Sequence, residues 1–258
     1  MSKEKRVLTK SEKNVIKIMI AVSVCALGVF AWLLYANDYY HAEAVAQKAL
    51  QGNQYVEVKE TEEYYVFTTG LNNTSMVRPG EEQGIIFYPG GKVDEVAYAP
   101  LLLELAEQGY EVYLVKMPAK LAIFGMNAAE DIIKEAEHIK GWTMMGHSLG
   151  GAMAASFSAS HDAEIDQLVL LAAYSTENLK EKEIEVFSFY GTEDKVLNME
   201  KYKEYYSNLP DDVVEEVIEG GNHANYGHYG AQDGDGKATI TREEQQDCVL
   251  DIFLHTQQ

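Results

Sequence analysis

The sequence carries the run Gly146-His147-Ser148-Leu149-Gly150, a serine between two glycines at G-x-S-x-G spacing. A serine hydroxyl becomes a useful nucleophile when a turn lifts it clear of its surroundings and a base removes its proton. Such a turn is sharp and strained, so small residues are required two positions to either side, where longer side chains would collide with adjoining backbone. The base is an imidazole, and the imidazole needs a carboxylate to orient it. Asp194, in Thr192-Glu193-Asp194-Lys195, is the candidate acid, with Glu193 beside it as a rival. His223, in the glycine-rich stretch Gly220 to His228, is the candidate base, with His228 as second choice.

Negative charge developing on a substrate oxygen needs donors aimed at it, each worth about 2.7–4 kcal/mol in a dry site. The backbone N–H of Leu149, following the serine at the start of a helix, is one candidate. The second lies in Tyr88-Pro89-Gly90-Gly91-Lys92, where the N–H of Gly91, or alternatively of Lys92, can approach a substrate oxygen. His147 is expected to pack or to line the pocket, because the residue before the nucleophile points away from substrate. His138, His161 and His255 read as surface residues of helical faces. The run Asp233-Gly-Asp235-Gly-Lys237 resembles a calcium loop superficially. Aligning Gly236 with the invariant glycine of that pattern puts Ala231 first and Arg242 last, so it fails at both ends and reads as a turn. No metal and no cofactor are expected.

These residues need elements to hold them. Short apolar runs alternate with helical patterns, which predicts an α/β fold: a doubly wound, mostly parallel sheet covered on both faces. Strands are expected at Gly84–Tyr88, Glu111–Lys116, Gly141–Met145, Leu168–Ala172, Ile184–Tyr190 and Val213–Ile218. Helices are expected at Val96–Gln108, Ala128–Ile139, Leu149–Ser160, Met199–Ser207 and about Thr241–Leu254, the last opened by a Thr241…Glu244 capping box. In such sheets ligands bind at the carboxyl ends of the strands. Ser148, Asp194 and His223 each follow a predicted strand end, in the chain order serine, acid, histidine. Upstream, Tyr39–Leu50 is helix-like, Tyr55–Thr69 reads as a strand or hairpin, and Gly70–Gln83 as a turn region. Only about eleven residues, Ala173–Glu183, join the fourth strand to the fifth, so no lid domain is expected there. Met117–Phe124, an apolar loop at a strand end, is either an acyl-pocket wall or buried against the sheet.

The chain has 258 residues, 47% apolar and 24% charged, a folded rather than disordered composition. Its net charge of −20 argues against nucleic acid as a partner. Two cysteines, Cys25 and Cys248, exclude a disulfide framework. The charge is uneven: residues 1–37 carry net +4 and the remainder −24. Ile18 to Asn37 is a run of 20 residues without charge, long enough as a helix to span a bilayer's hydrocarbon core of about 30 Å. Trp32 and Tyr35 near its far end suit the interface, and the basic N-terminus is expected to stay cytoplasmic. A transmembrane anchor is favoured over a signal peptide, whose apolar run is usually shorter, although Ala42, Ala44 and Ala46 offer a cleavage site. The expected organisation is a basic tail and anchor (1–37), an N-terminal segment (38–83) and a catalytic domain (84–258).

Six blocks in order, FYPGGKVD, VYLVKMP, MMGHSLGGAMA, FYGTEDKV, GGNHANYGHYG and GDGKATITREEQQ, resemble the small α/β-hydrolase family often called alpha/beta hydrolase fold-5. The resemblance covers about residues 84–254 and implies a serine hydrolase with Ser148, Asp194 and His223 as its triad. Pro89 stands where esterase loops of this kind have histidine. The expectation is a membrane-anchored, extracytoplasmic hydrolase acting on small or medium carboxylic esters through an acyl-enzyme. Thioester cleavage or acyl transfer by the same serine, and a non-catalytic binding module on the same scaffold, are the alternatives.

Overall fold

A computed structural model describes residues 9–69 and 82–255, so most of the predicted turn region Gly70–Gln83 lies outside the described residues. The chain divides after Asp38 into two units. The first is a single helix, α1 (Lys10–Asn37). Thr9 caps it: its hydroxyl accepts from the Glu12 N–H, and the Glu12 carboxylate accepts from the Thr9 N–H in return. The helix therefore starts eight residues before the charge-free run and takes in Lys10, Lys13 and Lys17. Its stretch Lys10–Tyr35, which contains an 18-residue window of mean hydropathy 2.3, is long and apolar enough to cross a membrane, and none of that window is buried.

The second unit is an eight-stranded sheet in the order β1-β2-β4-β3-β5-β6-β7-β8. The strands are β1 (Val56–Glu60), β2 (Tyr64–Thr69), β3 (Gln83–Tyr88), β4 (Glu111–Val115), β5 (Gly141–His147), β6 (Gln167–Leu171), β7 (Glu185–Gly191) and β8 (Val214–Ile218). From β4 to β8 across the sheet all pairings are parallel. The hairpin β1–β2 adds to the β4 edge antiparallel, so it belongs to the same sheet as the site-bearing strands. Central strands buried on both faces must be apolar throughout, and β3 shows how the two faces divide. Ile85 and Phe87 enter one core cluster with α3 (Ala99–Glu107) and α7 (Arg242–His255). Ile86 and Tyr88 enter the other with α4 (Ala129–Glu135) and α5 (Leu149–Ser160). This is the doubly wound, mostly parallel α/β arrangement expected from the sequence pattern.

Departures from the predicted boundaries have local causes. The helix expected from Val96 opens as a 3-10 turn over Glu95–Tyr98, and α3 proper has Pro100 in its first turn, where a missing N–H is tolerated. The helix expected to reach Ile139 stops at Glu135, because the chain must turn into β5 and the Lys140 N–H already bonds the Glu82 carbonyl at 2.8 Å. Beyond α6 (Met199–Tyr205) a 3-10 turn covers Tyr206–Asn208. Only α2 (Ala44–Ala49) of the expected Tyr39–Leu50 segment is helical. The residues before it run extended because Tyr40 forms a parallel bridge with Val93. The capping box of α7 is present: Glu244 N–H bonds the Thr241 hydroxyl at 3.1 Å and the Glu244 carboxylate accepts from Thr241 N–H at 2.7 Å. Between β6 and β7 the chain forms no helix.

Candidate active site

Ser148 is the single residue between β5 and α5, and its backbone stands at φ 53°, ψ −122°. A non-glycine residue held there stores of order 1–3 kcal/mol of strain, which the surroundings must sustain. Its N–H continues the β5–β6 ladder, bonding the Leu171 carbonyl at 2.9 Å. The flanking glycines are sites of close approach. A Cβ at Gly146 would lie 2.7 Å from the Gly150 carbonyl carbon, and one at Gly150 would lie 2.1 Å from the Tyr88 carbonyl oxygen. The turn can therefore close only with glycine at both places, as the G-x-S-x-G pattern demands.

The acid and the base meet. His223 Nδ1 and Asp194 Oδ2 are 2.8 Å apart, and both side chains are 1% exposed. Asp194 is held from its other side, where Oδ1 accepts the N–H groups of Val196 and Leu197, each at 2.8 Å. That fixes the carboxylate before the imidazole arrives. His223 Nε2 is buried and makes no hydrogen bond to protein, so no Ser148–His223 bond is formed in this structure. Both residues line one cavity of about 280 Å³ with Leu149, Met153, Ala172, Tyr174, Leu197 and Asn198 among its walls. Catalytic hydrogen bonds of this kind are often long without substrate and tighten when it binds.

The rivals are placed elsewhere. The carboxylate reaching His223 comes from Asp194, whereas Glu193 joins the Gly221 carbonyl through its backbone N–H at 2.8 Å. His228 is buried with Nδ1 3.1 Å from Arg242 Nη1, and burial first and that guanidinium second press its pKa below the usual histidine range. His161 stacks on Phe157, His138 pairs with Glu111 at the surface, and His255 bonds the Asp251 carbonyl in the last turn of α7.

Gly91 lies against the start of α5: a Cβ there would stand 3.1 Å from Leu149 Cδ2 and 3.4 Å from Leu149 Cβ. Leu149 is the first residue of a twelve-residue helix, so its N–H has no intrahelical acceptor. The other donor considered, the Lys92 N–H, is occupied by the Lys120 carbonyl at 2.8 Å. The Met117–Phe124 loop divides. Met117 and Ala122 are buried against the sheet, while Ile123 and Phe124 are exposed and do not line the Ser148 cavity.

Beside the candidate triad, Tyr98, His147 and Asp235 shape the site, and of these Tyr98 alone carried no signal in the sequence. Tyr98 accepts the Gly90 N–H at 3.1 Å and lies 2.8 Å from His147 Nδ1, so it ties the glycine loop to the residue before the serine. The His147 ring is 4.5 Å from that of His223. Burial, and then the neighbouring His223, hold the His147 pKa well below the ordinary value, so His147 stays neutral. Asp235, in the failed calcium loop, uses its carboxylate to accept the N–H groups of Ala224 at 2.9 Å and Lys195 at 3.2 Å, bracing the histidine and acid loops together. Among the described residues no group of three or more His, Cys, Asp or Glu is arranged to hold a metal ion. In the sequence the run holding Asp235 reads only as a turn, and its bracing bonds emerge from the fold.

A family model described as the alpha/beta hydrolase family matches residues 84–247. Among solved structures, the chain is similar to a predicted CIB-like hydrolase from Thermoplasma acidophilum at 18% identity and TM-score 0.55, covering 78% of this chain and 97% of that one. It is also similar to MGS-M1, an alpha/beta hydrolase enzyme from a Medee basin deep-sea metagenome library, at 17% identity and TM-score 0.54, covering 80% and 99%. A thermophilic esterase from Thermogutta terrifontis, Est2, is similar at 12% identity and TM-score 0.52, covering 78% and 92%. At these identities the likeness is one of fold. No curated protein matches the sequence.

Proposed function

The chain belongs to the alpha/beta hydrolase family, and on that footing we propose that it is a serine hydrolase cleaving small or medium carboxylic esters through an acyl-enzyme on Ser148. The observation that carries the reading is the buried His223–Asp194 pair, with His223 lining the same cavity as Ser148. Ser148 Oγ attacks the ester carbonyl while His223 Nε2 takes its proton. The resulting oxyanion sits between the N–H groups of Gly91 and Leu149. His223 then returns the proton to the departing alkoxide, leaving an ester on Ser148. Water, deprotonated by the same imidazole, hydrolyses that ester and frees the acid. Asp194 holds the imidazole in the Nδ1–H tautomer and stabilises its cationic form. A neutral His147 at 4.5 Å lets His223 carry the single positive charge of the transition state without a second one beside it.

The cavity size supports short or medium acyl groups, since about 280 Å³ lies near the lower end of ligand pockets. The net negative charge disfavours polyanionic substrates. The helix α1 acts as a membrane anchor with its basic end in the cytoplasm and the hydrolase unit on the other side. Labelling with a fluorophosphonate probe tests the catalytic reading: the wild type is labelled and Ser148→Ala is not. A folded wild type that stays unlabelled and hydrolyses no ester contradicts it.

A further inference from the structure

The loop that carries Gly91 is held from several directions. The Gly90 N–H bonds Tyr98, and the Lys92 N–H bonds the Lys120 carbonyl. Lys92 itself has φ 60°, a left-handed conformation that a lysine adopts only under constraint. The third side is closed by a segment far away in sequence. Tyr40 N–H donates to the Lys92 carbonyl at 2.8 Å, and the Asp94 N–H donates to the Tyr40 carbonyl at 2.8 Å. The Tyr40 hydroxyl accepts the Asp233 N–H at 3.0 Å, and its ring packs 5.6 Å from that of Tyr229. Three residues on, the Glu43 N–H bonds the His228 carbonyl at 2.8 Å, and the Glu43 carboxylate meets Arg242 at 2.8 Å. Ala46, next in line, is fully buried. Residues 39–43 thus tie the glycine loop to the loop that follows His223.

We propose that residues 39–43 are a positioning strap: they keep Lys92 in its left-handed conformation and so hold the Gly91 N–H aimed at the oxyanion. This rests on the reading of Gly91 as an oxyanion donor. Without the strap Lys92 relaxes, the Gly90–Gly91 peptide that carries the donor shifts with it, and a donor made for the transition state is lost while the cavity walls remain. A second consequence concerns processing. Cleavage after Ala42, Ala44 or Ala46 would detach Tyr40 from the loop, so the active protein retains the segment and the helix before it is not removed at those sites.

The full chain in detergent provides the test, with Tyr40→Pro to delete the N–H that reaches Lys92 and Glu43→Ala to loosen the strap's far end. Tyr40→Pro lowers kcat on an acetate ester about tenfold or more with KM little changed. It weakens a trifluoromethyl ketone, which mimics the tetrahedral state, by the same factor as kcat/KM. Glu43→Ala shows the same pattern at smaller size and carries the test if the proline variant does not fold. Two glycines inserted between Asp38 and Tyr39 leave kcat unchanged. Folded variants with wild-type kcat and ketone affinity overturn the strap, as does a form beginning at Glu43, Val45 or Gln47 with full kcat. Ser148→Ala, assayed alongside, separates the two claims: residual wild-type turnover there overturns the catalytic reading itself.

Discussion

Asp194 binds two backbone N–H groups through one oxygen and His223 through the other, so replacing it by asparagine keeps the shape and removes the charge. An amide can present its NH2 to Nδ1 and hold the wrong tautomer. Asp194→Asn is therefore expected to lower kcat by about 10⁴ with KM nearly unchanged, checked by steady-state kinetics. His147 supplies a pH prediction. Its native pKa is depressed, chiefly by burial, so just below about 6.5 the unfolded chain binds a proton that the native chain refuses. Its contribution to stability is present above that pH and is lost as pH falls. The melting temperature should drop between pH 7.5 and 5, and His147→Gln should flatten that drop in part. His228, depressed with the same sign, keeps the rest. Ser148, Asp194 and His223 stood out in the sequence as candidates because their chemistry admits few residue types and each follows a predicted strand end. Tyr98 and Tyr40 did not, since their partners lie across the fold and an ordinary tyrosine carries no spacing signal.

At the scale of elements, the seating of α5 on β3 depends on one missing side chain. A methyl at Gly150 would stand 2.1 and 2.3 Å from the Tyr88 and Pro89 carbonyl oxygens, and backbone cannot give way cheaply. Gly150→Ala should cost about 3 kcal/mol or more by denaturant titration. On the opposite face of the sheet, Glu104 of α3 is solvent-exposed but crowded, and its pKa is raised by desolvation first and then by Asp247, Glu107 and Glu243. A raised carboxyl pKa favours the native state at low pH and counts against it as pH rises through the native value. Glu104→Gln should therefore stabilise the protein at pH 7.5, by no more than about 0.5 kcal/mol after solvent screening, and leave its stability unchanged near pH 4. The central strands were legible as continuous apolar runs. Helix ends were less so: the early stop of α4 and the extended Tyr39–Glu43 are set by bonds to Glu82 and Lys92, which local pattern does not encode.

For the whole molecule, charge is uneven: residues 1–37 carry net +4 and the remainder −24. With α1 as an anchor, the protein should remain in the membrane pellet after alkaline carbonate washing, and a protease added outside intact cells should digest the hydrolase unit. Release into the soluble fraction would argue against anchoring. The cavity beside Ser148, with Met153 and Leu197 in its walls, should give an activity profile that falls steeply from short to long acyl chains. The fold class was legible because alternating apolar runs and helical stretches leave few alternatives. The substrate was not, since the cavity is formed by α5 and by the four separate connections after β5, β6, β7 and β8.

Pre-steady-state hydrolysis of p-nitrophenyl acetate, quenched in acid and followed by peptide mass mapping, tests the central claim most directly. The account predicts a burst of nitrophenol equal to the enzyme present and an acetyl group on the peptide containing Ser148, both lost in Ser148→Ala. Turnover without acetylation of that peptide, or with the acetyl group on another residue, would contradict it.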